Sequence, residues 1–263
     1  MSYQLIHGDC LEVMPTLESG SVDMILCDLP YGTTSCHWDS VIPFEPLWAQ
    51  YKRLIKPRGA IVLFGSQPFT SALIMSNIDW FKYEWIWKKT HATGQLNLNV
   101  RPMTEHENIC VFASGKTTYN LQMTKKPKDK IRAPTRMGMS DCYGAQREYD
   151  RTVPIDMRSP TTVLQFGSVN HGERGYHPTQ KPVDLLAYLI RTYTNEGETI
   201  LDNTMGSGST IVAAIQEGRN AIGIERDADY FAIAQKRCLE ATYQPSLFAP
   251  EPQQWQTAPM FGD

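Results

Sequence analysis

Residues 199–210 read Thr199-Ile200-Leu201-Asp202-Asn203-Thr204-Met205-Gly206-Ser207-Gly208-Ser209-Thr210. The run Glu198 to Leu201 has the length and apolar content of a buried strand. It delivers the chain to a turn holding two glycines, and a helix follows through Ile211 to Glu217. Without side chains, Gly206 and Gly208 let a ligand approach the backbone. Gly218-Arg219-Asn220 then turns the chain into a second strand, Ala221 to Ile224, which ends in Glu225. Glu225 stands 19 residues past Gly206. That is the spacing of a carboxylate that accepts hydrogen bonds from two ribose hydroxyls. A tight strand–helix turn with a charged strand end is the structural alternative. It explains each feature singly but not their occurrence together.

The full dinucleotide fingerprint is missing, because Ile211 occupies its third glycine position, and no P-loop lysine follows. The pattern therefore points to a nucleoside-containing cofactor without a tightly held pyrophosphate. S-adenosylmethionine fits, since it has a ribose and an adenine but no phosphate.

The rest of the chain supplies a sheet for this unit. Tyr3 to His7 reads as a first strand with Asp9 at its tip, and Cys10 to Leu17 as a helical stretch interrupted by Pro15. Val22 to Cys27 is a second apolar run. Phe44 to Ile55 places Leu47, Trp48, Tyr51, Leu54 and Ile55 on one helical face, and Lys56-Pro57-Arg58-Gly59 stops it. Ala60 to Phe64 is a near-continuous apolar run, as in a buried parallel strand. Phe69 to Met75 reads as a helix. Tyr83 to Trp87 and Asn108 to Phe112 read as strands joined by a polar loop. A helix through Leu185, Leu186, Leu189 and Ile190 precedes the glycine unit, and a last helix covers about Ala228 to Ala241. The prediction is one α/β domain over residues 1–242. Residues 243–263, with four prolines and four glutamines, read as a disordered tail.

Val22 to Cys27 runs directly into Asp28-Leu29-Pro30-Tyr31-Gly32. An acid, a stiff proline and an aromatic ring thus meet at a strand's carboxyl end, where open α/β sheets bind ligands. Alone, this stretch reads better as a strand ending in a surface turn.

Bulk properties narrow the class. The 263 residues are 41% hydrophobic and 20% charged, which suits a globular protein with a sizeable core. No apolar run has the length of a membrane span, and the N-terminus lacks the features of a signal peptide, so the expected compartment is the cytoplasm. Six scattered cysteines form no C-x-x-C pair, so neither a disulfide nor a metal site is expected. The net charge is -3, yet residues 114–175 hold 11 Lys+Arg against 6 Asp+Glu. Regular periodicity is also lost between Ser114 and Tyr176. A basic, irregular insertion in an acidic scaffold reads as a footprint for a polyanion or as a solvated loop.

Taken together, these motifs resemble those of the amino-methylating DNA methyltransferases that use S-adenosylmethionine. Asp28-Leu29-Pro30-Tyr31 is similar to the Asp-Pro-Pro-Tyr catalytic motif, and Asp202 to Ser209 to the Asp-Pro-Phe-x-Gly-Ser-Gly-Thr motif. Between them stands an intact His177-Pro178-Thr179-Gln180-Lys181-Pro182. This order is that of the circularly permuted beta class, and the resemblance spans roughly residues 4 to 240. It departs at Leu29, which replaces a proline, and at Asn203 and Thr204, which replace a Pro-Phe pair.

The resemblance implies a Rossmann-like methyltransferase sheet, circularly permuted, with 114–175 as an inserted target-recognition region. It implies Asp9 near the cofactor adenine, Glu225 on the ribose, Asp202, Gly206, Ser207 and Gly208 around the methionine part, and Thr179 and Lys181 in the same pocket. Asp28, Leu29, Pro30 and Tyr31 would act on a base flipped from double-stranded DNA. The Asp28 carboxylate and the Leu29 carbonyl would hold the two amino hydrogens, and Tyr31 would stack on the ring. An Asp at the head of the motif implies adenine N6, where cytosine-N4 enzymes usually carry Ser. Lys125, Lys126, Lys128, Lys130, Arg132 and Arg136 are candidates for phosphate or guanine contacts. Gln244-Pro245-Ser246-Leu247-Phe248 is similar to peptides that dock on the DNA sliding clamp, or is an ordinary tail. A homodimer is a further expected assembly. The competing readings are a cytosine-N4 or RNA methyltransferase, a nucleotide-dependent dehydrogenase, and a catalytically silent DNA-binding protein.

Overall fold

Strand β2, Val22–Cys27, shows how the sheet is covered on both sides. Met24 and Leu26 join one core cluster and Ile25 and Cys27 the other, and all four are at most 1% exposed. Alternation along a strand sends successive side chains to opposite faces, so a strand that is apolar from Met24 to Cys27 needs helices on both. The computed structural model describes residues 1–32, 39–127, 131, 154–167 and 180–243.

The elements, in chain order, are β1 Tyr3–His7, α1 Cys10–Val13, β2, α2 Phe44–Leu54, β3 Ile55–Gly65, α3 Phe69–Met75, β4 Phe81–Thr93 and β5 Thr104–Phe112. Next come β6 Thr124–Lys125, β7 Met157–Arg158, β8 Val163–Gln165, α4 Val183–Tyr193, β9 Thr199–Asp202, α5 Ser209–Gln216, β10 Asn220–Glu225 and α6 Ala228–Tyr243. An eight-stranded sheet runs β1-β10-β9-β2-β3-β5-β4-β8. Its first five strands pair in parallel, β5 is antiparallel to both neighbours, and β8 lies parallel to β4 at the far edge. Helices α1, α2 and α3 pack on one face, and α4, α5 and α6 on the other.

This topology positions the site. From β2 the chain crosses to β3 on one side, and from β9 it crosses to β10 on the other. β2 and β9 are neighbours, with Ile25 beside Leu201. Their carboxyl ends therefore flank the point where the winding reverses, and such a switch point opens a crevice in an α/β sheet. Among the described residues no helix is long and apolar enough to cross a membrane. Cys10, Cys27, Cys110 and Cys238 are buried free thiols.

Two expectations are corrected. The stretch after Ser114, read as lacking regular elements, contains β6, β7 and β8. These strands have two or three residues, too few for a periodic pattern, and β8 is held by backbone pairing with Ile86 to Lys88. Half of the polar loop read between Trp87 and Asn108 is strand, because β4 runs on to Thr93 and β5 starts at Thr104, extending beyond their apolar centres as a hairpin. The tail segment Gln244–Phe248 lies outside the described residues.

Candidate active site

A crevice of about 270 Å³ opens at the carboxyl ends of β1, β2, β9 and β10. Asp28 enters it from the end of β2 with a quarter of its side chain exposed. Tyr31 Oη donates to Asp28 Oδ1 at 2.6 Å, so the turn closes on itself. Asp28 Oδ2 accepts from Lys181 Nζ in an ion pair. Lys181 Nζ also lies 3.4 Å from Glu107 Oε2, and Lys89 Nζ lies 2.5 Å from Glu107 Oε1. The charges thus alternate along Asp28, Lys181, Glu107 and Lys89. Burial pushes the Asp28 carboxyl up, Lys181 pulls it down, and Glu107 adds to the rise. The balance raises the Asp28 carboxyl above its ordinary value, with burial the largest cause. For Lys181 burial works against the charge, but the two carboxylates beside it outweigh burial and raise its pKa. Burial and the Asp28 charge push the Tyr31 phenol well up, so it remains a neutral donor.

The opposite wall is the glycine turn. Gly206 N–H donates to Glu225 Oε2 and Asp227 N–H to Glu225 Oε1, each at 2.8 Å. Glu225 therefore braces both the loop and the turn after β10. Gly206 adopts φ +52° and Gly208 φ +82°, both in the left-handed region that favours glycine. A Cβ at Gly208 would sit 3.0 Å from Ala234 Cβ, so this glycine permits close packing of α6. Arg237, buried on α6, donates to the Ser207 carbonyl at 2.7 Å and to its Oγ at 3.0 Å. Asp9 caps α1 by accepting from Leu11 N–H at 2.8 Å. Asp202, 3% exposed, accepts from Thr204 N–H at 3.1 Å, and burial pushes its carboxyl up to about 7.

A family model for N6/N4 methyltransferases, described as DNA methylase, matches residues 22–236. The chain belongs to this DNA methylase family.

The methylase is 28% identical over 254 residues to the type II methyltransferase M.HpaI of Haemophilus parainfluenzae, covering 90% of this chain and 74% of the relative. It is 27% identical over 271 residues to M.HinfI of Haemophilus influenzae, covering 92% and 70%. Among solved structures, a complex of M1.HpyAVI with SAM superposes with TM-score 0.60 at 26% identity, over 89% of this chain and 98% of that one. PvuII DNA methyltransferase, described as cytosine-N4-specific, superposes with TM-score 0.65 at 16% identity, over 90% and 86%, a likeness of fold. The fold is Rossmann-like.

The crevice brings together Asp28, Leu29, Pro30, Tyr31, Asp9, Lys181, Asp202, Gly206, Ser207 and Glu225. Lys181, expected beside the cofactor, has Asp28 and Glu107 as its partners. Lys125 is exposed in β6, and Lys126 Nζ donates to the Ile155 carbonyl at 3.0 Å. Thr179, Lys128, Lys130, Arg132 and Arg136 lie outside the described residues. The departures at Asn203 and Thr204 have structural roles. Asn203, 1% exposed, accepts from Tyr51 Oη at 2.6 Å and from Cys27 Sγ at 2.9 Å. Thr204 Oγ1 donates to the Asp28 carbonyl at 3.2 Å, clipping the turn after β2 to the glycine loop.

Three contributors escaped the sequence reading: Glu107, Lys89 and Arg237. The only signal for Glu107 was a charge placed just before the apolar run Asn108 to Phe112. Arg237 sat unmarked in a mixed helix.

The donor set fits S-adenosylmethionine. Asp9, Asp28, Asp39, Glu107, Asp202 and Glu225 line the crevice against Lys181 and Arg226. This acidic surplus suits a sulfonium and an ammonium and disfavours a pyrophosphate. Gln180 Nε2 and Asn203 Nδ2 are buried there without a hydrogen-bond partner among the described residues, two donors suited to a carboxylate or a ring nitrogen.

Proposed function

We infer that this DNA methyltransferase transfers the methyl group of S-adenosylmethionine to the N6 amino group of an adenine flipped out of duplex DNA. The observation that carries the reading is the Asp28 carboxyl group, partly open to the crevice and fixed from two sides by Lys181 and Tyr31. When bound, S-adenosylmethionine supplies an electrophilic methyl on a sulfonium.

The chain's own residues prepare the nucleophile. An exocyclic amine is weakly nucleophilic because its lone pair is delocalised into the ring. A carboxylate oxygen has two acceptor lone pairs, so Asp28 accepts an amino hydrogen without releasing Lys181. With the Leu29 carbonyl holding the second hydrogen, the lone pair is turned out of the ring plane and aimed across the crevice. The gain comes mainly from placement. The alkylated nitrogen becomes acidic, and its surplus proton leaves toward Asp28 and the open side of the crevice. Tyr31, whose ring packs 5.0 Å from that of Phe69, offers a face for the extruded base. Such stacking is worth about 1–3 kcal/mol and offsets part of the flipping cost.

An acid rather than a serine at position 28 supports adenine over cytosine. The basic stretch 114–175, with Lys125 exposed, is proposed as the sequence reader. Resemblance to type II methyltransferases supports modification at a defined site. The test is to incubate the protein with unmethylated DNA, and separately with RNA, in the presence of methyl-labelled S-adenosylmethionine, then digest to nucleosides. Label in N6-methyladenine is expected. Label in N4-methylcytosine would overturn the base assignment, and label in RNA alone would overturn the substrate.

A further inference from the structure

Above the crevice, the β4–β5 hairpin ends in a tip that the chemistry of methyl transfer does not use. Pairing runs from Trp87 beside Glu107, through Lys88 beside His106, to Thr93 beside Thr104. Gly94 then turns the chain with φ +97°, and Gln95–Asn97 forms one short helical turn. The tip exposes large apolar side chains. Leu96 is fully exposed, Val100 is 86% exposed and Leu98 59%. Isolated surface leucines are ordinary, but three within five residues at a projecting end form a contact surface.

The surroundings say what kind of contact. From residue 88 to 104 the chain carries Lys88, Lys89 and Arg101 and not one acid, in a protein of net charge -3. Lys89 is engaged with Glu107, which leaves Lys88 and Arg101 as the outward cations. The first acid past the tip, Glu105, lies on β5. Gln95, Asn97 and Asn99 alternate with the apolar residues. Cations hold phosphates, amides bond base edges, and aliphatic side chains enter opened base steps. A protein partner for the apolar residues would leave the amides between them to be desolvated, whereas base edges satisfy them.

The placement is equally specific. Glu107, at the foot of the hairpin, lines the crevice and touches Lys181. Thr104 lies three residues along the strand, so the tip begins about 10 Å beyond the crevice wall. Asn108 pairs with Gly65 at the carboxyl end of β3, so the hairpin extends beyond that end of the sheet, the side on which the crevice opens.

We propose that the hairpin tip is a wedge. Leu96, Leu98 and Val100 enter the duplex at the step vacated by the target base, while Lys88 and Arg101 hold the flanking phosphates. The wedge opposes return of the base to the stack. This inference rests on the reading that the substrate is duplex DNA with an extruded target.

The test uses the full chain with Leu96→Ser, Leu98→Ser and Val100→Ser combined, and separately with Leu96→Ser alone. Each is assayed on a short duplex carrying the site found by mapping the methylated base, and on the same duplex with a mismatch opposite that base. A mismatched base is already unstacked in part and needs less help to leave. Unchanged affinity for S-adenosylmethionine reports an intact fold. The triple variant should be slowed by about tenfold or more on the matched duplex and recover most of that rate on the mismatched one, with the single variant intermediate. Equal slowing on both duplexes, or no slowing on either, overturns the wedge. So does a shift from dimer to monomer in sedimentation with equal slowing, which would assign the tip to a second copy of the chain. Failure of the wild-type protein to methylate the matched duplex would instead refute the reading on which the wedge rests.

Discussion

Lys181 forms an ion pair with Asp28 across 153 residues of chain. The contact joins the turn after β2 to the residue that leads into α4, and it places a cation where the target amine is to be held. Its role is best seen by removal. In Lys181→Met, Asp28 keeps its burial and its acidic neighbour Glu107 but loses the charge that lowers its pKa. The carboxylate form is then available only at higher pH. The acid limb of the pH–rate profile should move up by about 1–3 units, while affinity for S-adenosylmethionine changes less. An unmoved limb would mean that Asp28 titration does not govern the rate.

Tyr31 combines two functions that substitutions separate. Its hydroxyl donates to Asp28 and its ring packs near Phe69. Tyr31→Phe retains the ring and should stay within a few-fold of wild type. Tyr31→Ala should lose about 1–3 kcal/mol of flipped-base binding, read as weaker affinity for target duplex. Equal behaviour of the two variants would assign the function to the hydroxyl.

Asn203 replaces the proline of the motif and satisfies a buried pair. Tyr51 is fully buried, and its hydroxyl and the Cys27 thiol both donate to Asn203 Oδ1. Asn203→Ala strands those donors and should cost about 1–3 kcal/mol in denaturant unfolding. Adding Tyr51→Phe removes one orphan, so the double variant should be less destabilised than the two single losses added together. Simple additivity would show that the bond is not coupled.

Asp202 makes stability depend on pH. Its folded pKa, raised to about 7 by burial, lies above the ordinary carboxylate value. A raised folded pKa means the native state holds the proton more tightly than the unfolded chain. This contribution is complete below about pH 4 and is lost as pH rises through about 7. Asp202→Asn should therefore flatten the fall in urea midpoint between those values, relative to wild type. An unchanged slope would place the Asp202 titration elsewhere.

The order of elements and both ends of the crevice were readable from the sequence. β2 is apolar from Met24 to Cys27 and β9 at Ile200 and Leu201, and each apolar run leads directly into an acid, Asp28 or Asp202. The glycine turn was readable because a left-handed φ leaves a glycine in the chain. Gly208 nevertheless answers to Ala234 on α6, a contact that only the fold reveals. Glu107 and Lys89 were hidden because their meaning lies in register. They stand at the ends of two strands whose apolar centres were recognised but whose polar extensions were read as loop. β8 was hidden because three residues held by backbone pairing leave no pattern. Lys181 was recognised as a crevice residue but its ion pair with Asp28 was not, since an intact motif says which residue is present and not which carboxylate it will reach.

The most direct measurement is methyl transfer by Asp28→Ala to the mapped DNA site, alongside its affinity for S-adenosylmethionine. Asp28 is proposed to hold the amine, and its side chain makes no contact with Glu225 or the glycine turn among the described interactions. The variant should bind the cofactor as the wild type does and transfer no methyl group. Normal turnover by Asp28→Ala would contradict the assignment of the catalytic turn.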